Sequence, residues 1–158
     1  MDSRLISSWA EHDSALQTIL TLASRSLCIF DEDLTKLKLE RPDNSEILQR
    51  FLGSDRQHTA RIVVRNAEPF RRNSPRLMRL LANHPQTMTV FESPPHLASL
   101  GDSIFIADDR HAVIRFHRDN VRAKVIIDRV EECRAYVHRF EDILAEGGEQ
   151  VFATPLGL

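Results

Sequence analysis

The feature that most constrains this chain is a change of rhythm just past residue 92. Before it, segments of helical period alternate with short apolar runs. After it, three strand-like runs follow one another with only polar turns between them. Leu5, Trp9, Leu16, Ile19, Leu20 and Ala23 recur at roughly helical spacing, and Asp13 or Ser14 would cap the second half. This predicts a helix over 13–25 behind an N-terminal helical arm, residues 1–12. A short buried strand follows at 26–30, ending in the acidic turn Asp31-Glu32-Asp33. Asp43 and Glu46 form a capping pair for a helix over 44–53, with Ile47, Leu48, Phe51 and Leu52 on one face. Residues 60–65 form a second strand, nearly all apolar, as expected where helices cover both faces. Ser74-Pro75 opens a helix over 74–83, and 87–92 is a third strand. The order α-β-α-β-α-β calls for a parallel sheet with right-handed crossovers.

Beyond the loop Ser93-Pro94-Pro95-His96, strands at 103–107, 111–117 and 122–128 predict an antiparallel meander. Val130, Cys133, Val137, Phe140 and Leu144, spaced three and four apart, predict a helix over 129–146 that Gly147-Gly148 ends. Residues 149–158 read as a frayed tail. The expected fold class is α/β: a three-layer α/β/α sandwich whose mixed sheet joins a parallel core to an antiparallel meander.

With 158 residues, 42% of them hydrophobic and 28% charged, the chain is one globular domain rather than a disordered segment. No apolar run approaches the roughly twenty residues of a membrane span. Met1-Asp2-Ser3-Arg4 lacks the apolar stretch of a secretory signal, and Cys28 and Cys133 sit in apolar patterns, so a cytoplasmic protein with reduced thiols is expected. The net charge of −2 is uneven: residues 56–84 hold seven arginines against Glu68 alone. Arg71, Arg72, Arg76 and Arg79 lie around a helix, where a solvated face is usual. With 18 arginines to 3 lysines, arginine is also the chain's default cation. Nucleic-acid binding by this block is therefore not expected.

Alternation along 111–117 sets Ala112, Ile114 and Phe116 on one face, and His111, Val113, Arg115 and His117 on the other. The two histidines are roughly 20 Å apart and cannot share a metal ion. Arg115 and His117, roughly 6–7 Å apart, can both touch one anion. The blander reading of this face is a strand whose polar groups are satisfied locally. No G-x-S-x-G elbow, phosphate-binding loop or dinucleotide fingerprint is present. No metal site and no cofactor are expected. The Asp31-Glu32-Asp33 turn has the charge to hold a cation, though short acidic turns are more often solvated loops.

Residues 26–34, 60–65, 76–81 and 102–117 resemble the strands, helix and motif-bearing hairpin of half a phospholipase D-like fold. The resemblance covers about residues 14–146, which sets a domain at 13–148. It is nearest to a bacterial group of small phospholipase D-like domains of unknown function that have lost the catalytic motif. That motif is H-x-K-x-x-x-x-D, in which histidine attacks phosphorus and lysine neutralises the phosphoryl oxygens. Setting Asp108 on its aspartate puts Ser103 where lysine belongs and Gly101 where histidine belongs. The small Gly-Ser pair and asparagine that often follow become Arg115-Phe116 and Arg118.

Without the nucleophile, covalent phosphohistidine catalysis has no agent. The resemblance therefore implies a pseudoenzyme: a binding or interaction module with Arg115, His117 and Arg118 as candidate anion contacts for a phosphate-bearing ligand. The alternative is a phosphodiesterase with a rearranged site built from His117, Arg115, Arg118 and Asp108. Because active relatives pair two such halves across a pseudo-twofold axis, a homodimer is the expected assembly. Against it, Arg115 of two copies would repel unless an anion lay between them.

Overall fold

Apolar residues covered on both sides make the central strands. In the computed structural model, which describes residues 2–153, β2 (Ser26–Asp31), β3 (Thr59–Val64) and β4 (Met88–Glu92) pair in parallel. The meander β5 (Ser103–Ala107), β6 (His111–His117) and β7 (Asn120–Ile127) joins antiparallel, with β5 against β2. Two further strands, β1 (Asp2–Ile6) and β8 (Glu149–Val151), close the edges, giving one eight-stranded sheet in the order β1-β7-β6-β5-β2-β3-β4-β8.

Helices α1 (Trp9–Leu22), α2 (Pro42–Ser54), α3 (Glu68–Asn73) and α4 (Pro75–Asn83) cover one face, and α5 (Val130–Ala145) the other. Successive strand residues feed the two cores alternately: Leu27 and Ile29 pack toward α1, Cys28 and Phe30 toward α5. Cys133, Phe140 and Ile143 anchor α5; burying a side chain such as Phe140 contributes roughly 1.5–3 kcal/mol. The expected three-layer α/β sandwich is the fold. No helix among the described residues is long and apolar enough to cross a membrane.

Three local expectations need correction. Residues 2–6 are strand β1 rather than part of a helical arm, and Asp2 to Ile6 pair with Ile127 to Ala123. The first helix begins at Trp9, because Ser8 and Glu11 form the capping pair. The Ser8 hydroxyl oxygen accepts from the Glu11 N–H at 3.2 Å and donates to its carboxylate at 2.9 Å. Asp13 and Ser14, the two expected caps, lie inside the helix, and Asp13 instead holds Lys38 at 2.7 Å. The tail is ordered as far as Val151: Val90, Phe91 and Glu92 of β4 pair with Val151, Gln150 and Glu149. Gly148, at φ +123°, lies so close to the Glu92 carbonyl that a Cβ would collide with it. Residues 154–158 of the expected frayed tail lie outside the described residues.

Candidate functional site

The carboxyl ends of β2, β3 and β6 and the start of β5 meet at one edge of the sheet. Pairing of Phe30 with Ile104 and of Ser103 with Arg115 sets Asp31, Ser103 and Arg115 level on the α1 face of three adjacent strands. Ser103 is short and buried, so the Arg115 side chain reaches past it. Its Nη2 donates to Asp31 Oδ1 at 3.2 Å, with both side chains only 1% exposed. Asp31 also accepts from the N–H groups of Leu34 and Asp33. On its other side Arg115 approaches His12 Nε2 at 3.5 Å, and its guanidinium lies 5.6 Å from the Trp9 ring centroid. Burial first, and then the neighbouring Arg115 charge, lower the His12 pKa to about 4, so His12 is neutral at pH 7. Arg115 is thus a core residue with an internal counter-ion.

Past Arg115 the strand bulges, and His117 turns back over the start of β5. Its Cδ2 and Nε2 lie 3.7 and 4.0 Å from the point where a Cβ on Gly101 would stand. The facing strand thus sets a histidine ring beside position 101 and an arginine opposite position 103. His117 Nδ1 accepts from the Asp119 N–H at 3.2 Å. That bond assigns the neutral ring's proton to Nε2, which makes the outward nitrogen a donor.

Asp108 stands at the opposite end of β5. It lies five positions along the chain from Ser103, roughly 16 Å of strand. Its carboxylate accepts from the N–H groups of Ser24, Arg25 and Ser26 and from the Ser24 hydroxyl, at 2.7–3.2 Å. Burial acts to raise its pKa, but these donors outweigh it and hold the carboxyl below its usual range. A four-residue site of His117, Arg115, Arg118 and Asp108 is therefore not assembled: Asp108 is remote and Arg115 is internal.

Arg118, half-buried, does face the edge. Its Nη1 donates to Glu32 Oε1 at 3.1 Å, and its carbonyl accepts from Lys36 Nζ at 2.7 Å. Beside it stands Arg65, at the carboxyl end of β3, whose Nη1 donates to the Asp102 carbonyl at 2.9 Å and whose guanidinium lies 4.9 Å from the Phe30 ring centroid. Its Nε and Nη2 are buried without a protein partner. Burial lowers the Arg65 pKa; Asp31, Glu32 and Asp102 oppose that shift and Arg118 adds to it. Arg139 clamps the Asp102 carboxylate through two bonds of 2.7 and 2.8 Å, which fixes the loop carrying Gly101. Arg65 is a candidate contact that motif reasoning missed; its position just past a parallel strand was the available signal.

The acidic turn is consumed locally: Asp31 by Arg115, Glu32 by Arg118, and Asp33 by the Thr35 N–H. Among the described residues no three His, Cys, Asp or Glu side chains stand where they could hold one metal ion. The arginine-rich block is dispersed as well. Arg61 pairs with Glu141, Arg71 with Glu149, Arg72 with Glu68 and Arg76 with Glu40. A 420 Å³ cavity lined by Arg25, His58, Arg61 and Asp109 belongs to the far, Asp108 end of the sheet.

The family described as Domain of unknown function (DUF7931) matches residues 8–150. No curated protein matches the chain. Among solved structures, the phospholipase D family member Nuc from Salmonella typhimurium superposes with a TM-score of 0.67 at 15% identity, over 96% of this chain and 99% of that one. NucT from Helicobacter pylori gives 0.59 at 15% identity, over 92% and 96%. TrmBL2, an archaeal chromatin protein described as showing a novel mode of DNA binding, gives 0.66 at 12% identity. Its match covers 94% of this chain and 54% of TrmBL2. At these identities the likeness concerns the fold, which is phospholipase D-like. This chain belongs to the DUF7931 family of domains of unknown function.

Proposed function

We propose that this protein is a non-catalytic phospholipase D-like module that binds a phosphate-bearing ligand at the edge formed by His117, Arg118 and Arg65. The observation that carries the reading is the bond from the Asp119 N–H to His117 Nδ1. A histidine that attacks phosphorus through Nε2 needs its lone pair there and its proton on Nδ1. Here the backbone donor occupies Nδ1, so Nε2 presents an N–H beside the side-chain-free position 101. That arrangement suits donation to an oxyanion rather than attack on phosphorus. Arg118 and the buried unpartnered nitrogens of Arg65 add further donors.

Arg115, a candidate contact on sequence grounds, drops out of the binding set because Asp31 already neutralises it. That same pairing removes the repulsion between arginines of two copies, so the proposed assembly remains a homodimer. A mass near the monomer's 18.1 kDa by light scattering, with and without phosphate, would refute this. A small phosphate-bearing ligand is favoured over nucleic acid, despite the fold shared with a DNA-binding chromatin protein, because Arg61, Arg71, Arg72 and Arg76 of the arginine block are each paired with a carboxylate. The buried free thiols of Cys28 and Cys133 fit a reducing compartment such as the cytoplasm.

The test combines hydrolysis and binding. Purified protein should not turn over a chromogenic phosphodiester, and it should bind inorganic phosphate in calorimetry. Binding should weaken in His117→Ala. Turnover that disappears with His117→Ala would establish a rearranged phosphodiesterase instead. Salt-sensitive binding of a DNA duplex, with no response to phosphate, would favour nucleic acid.

A further inference from the structure

Glu32 occupies one of the two guanidiniums at this edge that an incoming anion would take, that of Arg118, and the surrounding contacts make it a latch. Its carboxylate holds Arg118 at 3.1 Å, while Lys36, four residues on, holds the Arg118 carbonyl at 2.7 Å. The turn after β2 and the turn after β6 are thereby tied together across the site. Arg65, just past the end of β3, feels the charges of both Glu32 and Arg118 and carries two buried N–H groups that no protein atom accepts. A buried donor left unpaired is costly, so a group that accepts from Arg65 while replacing Glu32 on Arg118 satisfies donors that Glu32 leaves open.

We propose that Glu32 is an internal stand-in for the ligand's anionic group, and that the site therefore selects a phosphate monoester dianion over a phosphodiester. This rests on the anion-binding reading above. The selection follows from charge. A phosphodiester carries a single charge, no more than the carboxylate it must displace, and leaves Glu32 unpaired next to it. A monoester near pH 7 carries about −1.5 to −2 and three acceptor oxygens, enough for Arg118, Arg65 and the His117 Nε2–H together. The gain exceeds the loss only for the more highly charged group.

Removing the latch has a signature that a plain anion site lacks. Inorganic phosphate, phenyl phosphate and dimethyl phosphate would be titrated by calorimetry into the full chain and into Glu32→Gln, Asp119→Asn and Arg118→Gln. Circular dichroism and melting would show that each variant is folded. The full chain should bind inorganic phosphate and phenyl phosphate but not dimethyl phosphate. Glu32→Gln should tighten phosphate by roughly tenfold or more and admit the diester. Arg118→Gln should abolish the difference between esters. Asp119→Asn removes a nearby charge without opening the latch and should leave the selectivity intact.

Equal phosphate affinity in the full chain and Glu32→Gln would overturn the latch and leave the anion site standing. So would an Asp119→Asn variant that tightens as much as Glu32→Gln. Failure of every folded variant, Glu32→Gln included, to bind phosphate would overturn the anion site itself.

Discussion

The Arg115 guanidinium on β6 crosses over Ser103 on β5 to reach the Asp31 carboxylate on β2 at 3.2 Å, and neither charged group meets solvent. A buried pair of this kind is a poor source of net stability but a severe liability when broken, because the survivor keeps its desolvation cost. Arg115→Met should destabilise the fold by about 3–5 kcal/mol in denaturant unfolding, while the double variant Arg115→Met with Asp31→Asn should lose less than the two single losses added. Additive losses would mean that the two groups are not coupled.

The same pair governs what happens if the motif lysine is put back. Ser103→Lys would force a second cation into a buried position level with Arg115, whose one counter-ion is already engaged. The variant should be less stable by about 2 kcal/mol or more and should remain inactive toward a chromogenic phosphodiester. A stable Ser103→Lys protein that gains turnover would overturn the non-catalytic reading.

Asp108, the one residue of the resembled motif that the spacing retains, has a structural role of its own. It sits at φ +58° with its carboxylate gathering the N–H groups of residues 24–26, and so ties the β5–β6 turn to the entry of β2. Asp108→Ala should cost about 3 kcal/mol, and Asp108→Asn, which keeps one acceptor oxygen and tolerates a left-handed backbone, less than that. Melting temperatures rank the two. An unshifted Asp108→Ala protein would contradict the role.

His12 sets a pH dependence whose sign is fixed by its neutral folded form. With a folded pKa of about 4 against 6.5 unfolded, the unfolded chain binds the extra proton first as pH falls. Stability from this group is complete above pH 6.5 and is lost progressively toward pH 4, by on the order of 3 kcal/mol. Burial also lowers the pKa of His111, which accepts from the Asp128 N–H, and it acts in the same direction. Urea unfolding between pH 7 and pH 4 should be less steep in pH for His12→Leu. An unchanged slope would place the acid sensitivity elsewhere.

The sequence carried most of the architecture, because the central strands and α5 are specified by local pattern. Ser26 to Asp31, Thr59 to Val64 and the meander fell within two residues of expectation, since a strand covered on both sides admits few polar residues. The edge strands were not legible. Asp2 to Ile6 has no alternation and is extended only because β7 offers it a free edge; Glu149 to Val151 depends on β4 in the same way. The short α3 was hidden for a similar reason: Glu68 to Asn73 has a single buried anchor, Phe70.

That Gly101 and Ser103 stand where the resemblance would set histidine and lysine could be read from the sequence alone, because that is a matter of residue type and spacing. What took their place could not. Arg115 meets a partner 84 positions away, and His117 lies against Gly101 only because β5 and β6 run antiparallel in one register and then bulge. Side-chain alternation determines which face a residue occupies. Strand order and register decide which charges share that face, and only there was Arg115 committed to the core while Arg65, Arg118 and His117 were set at the end of the sheet.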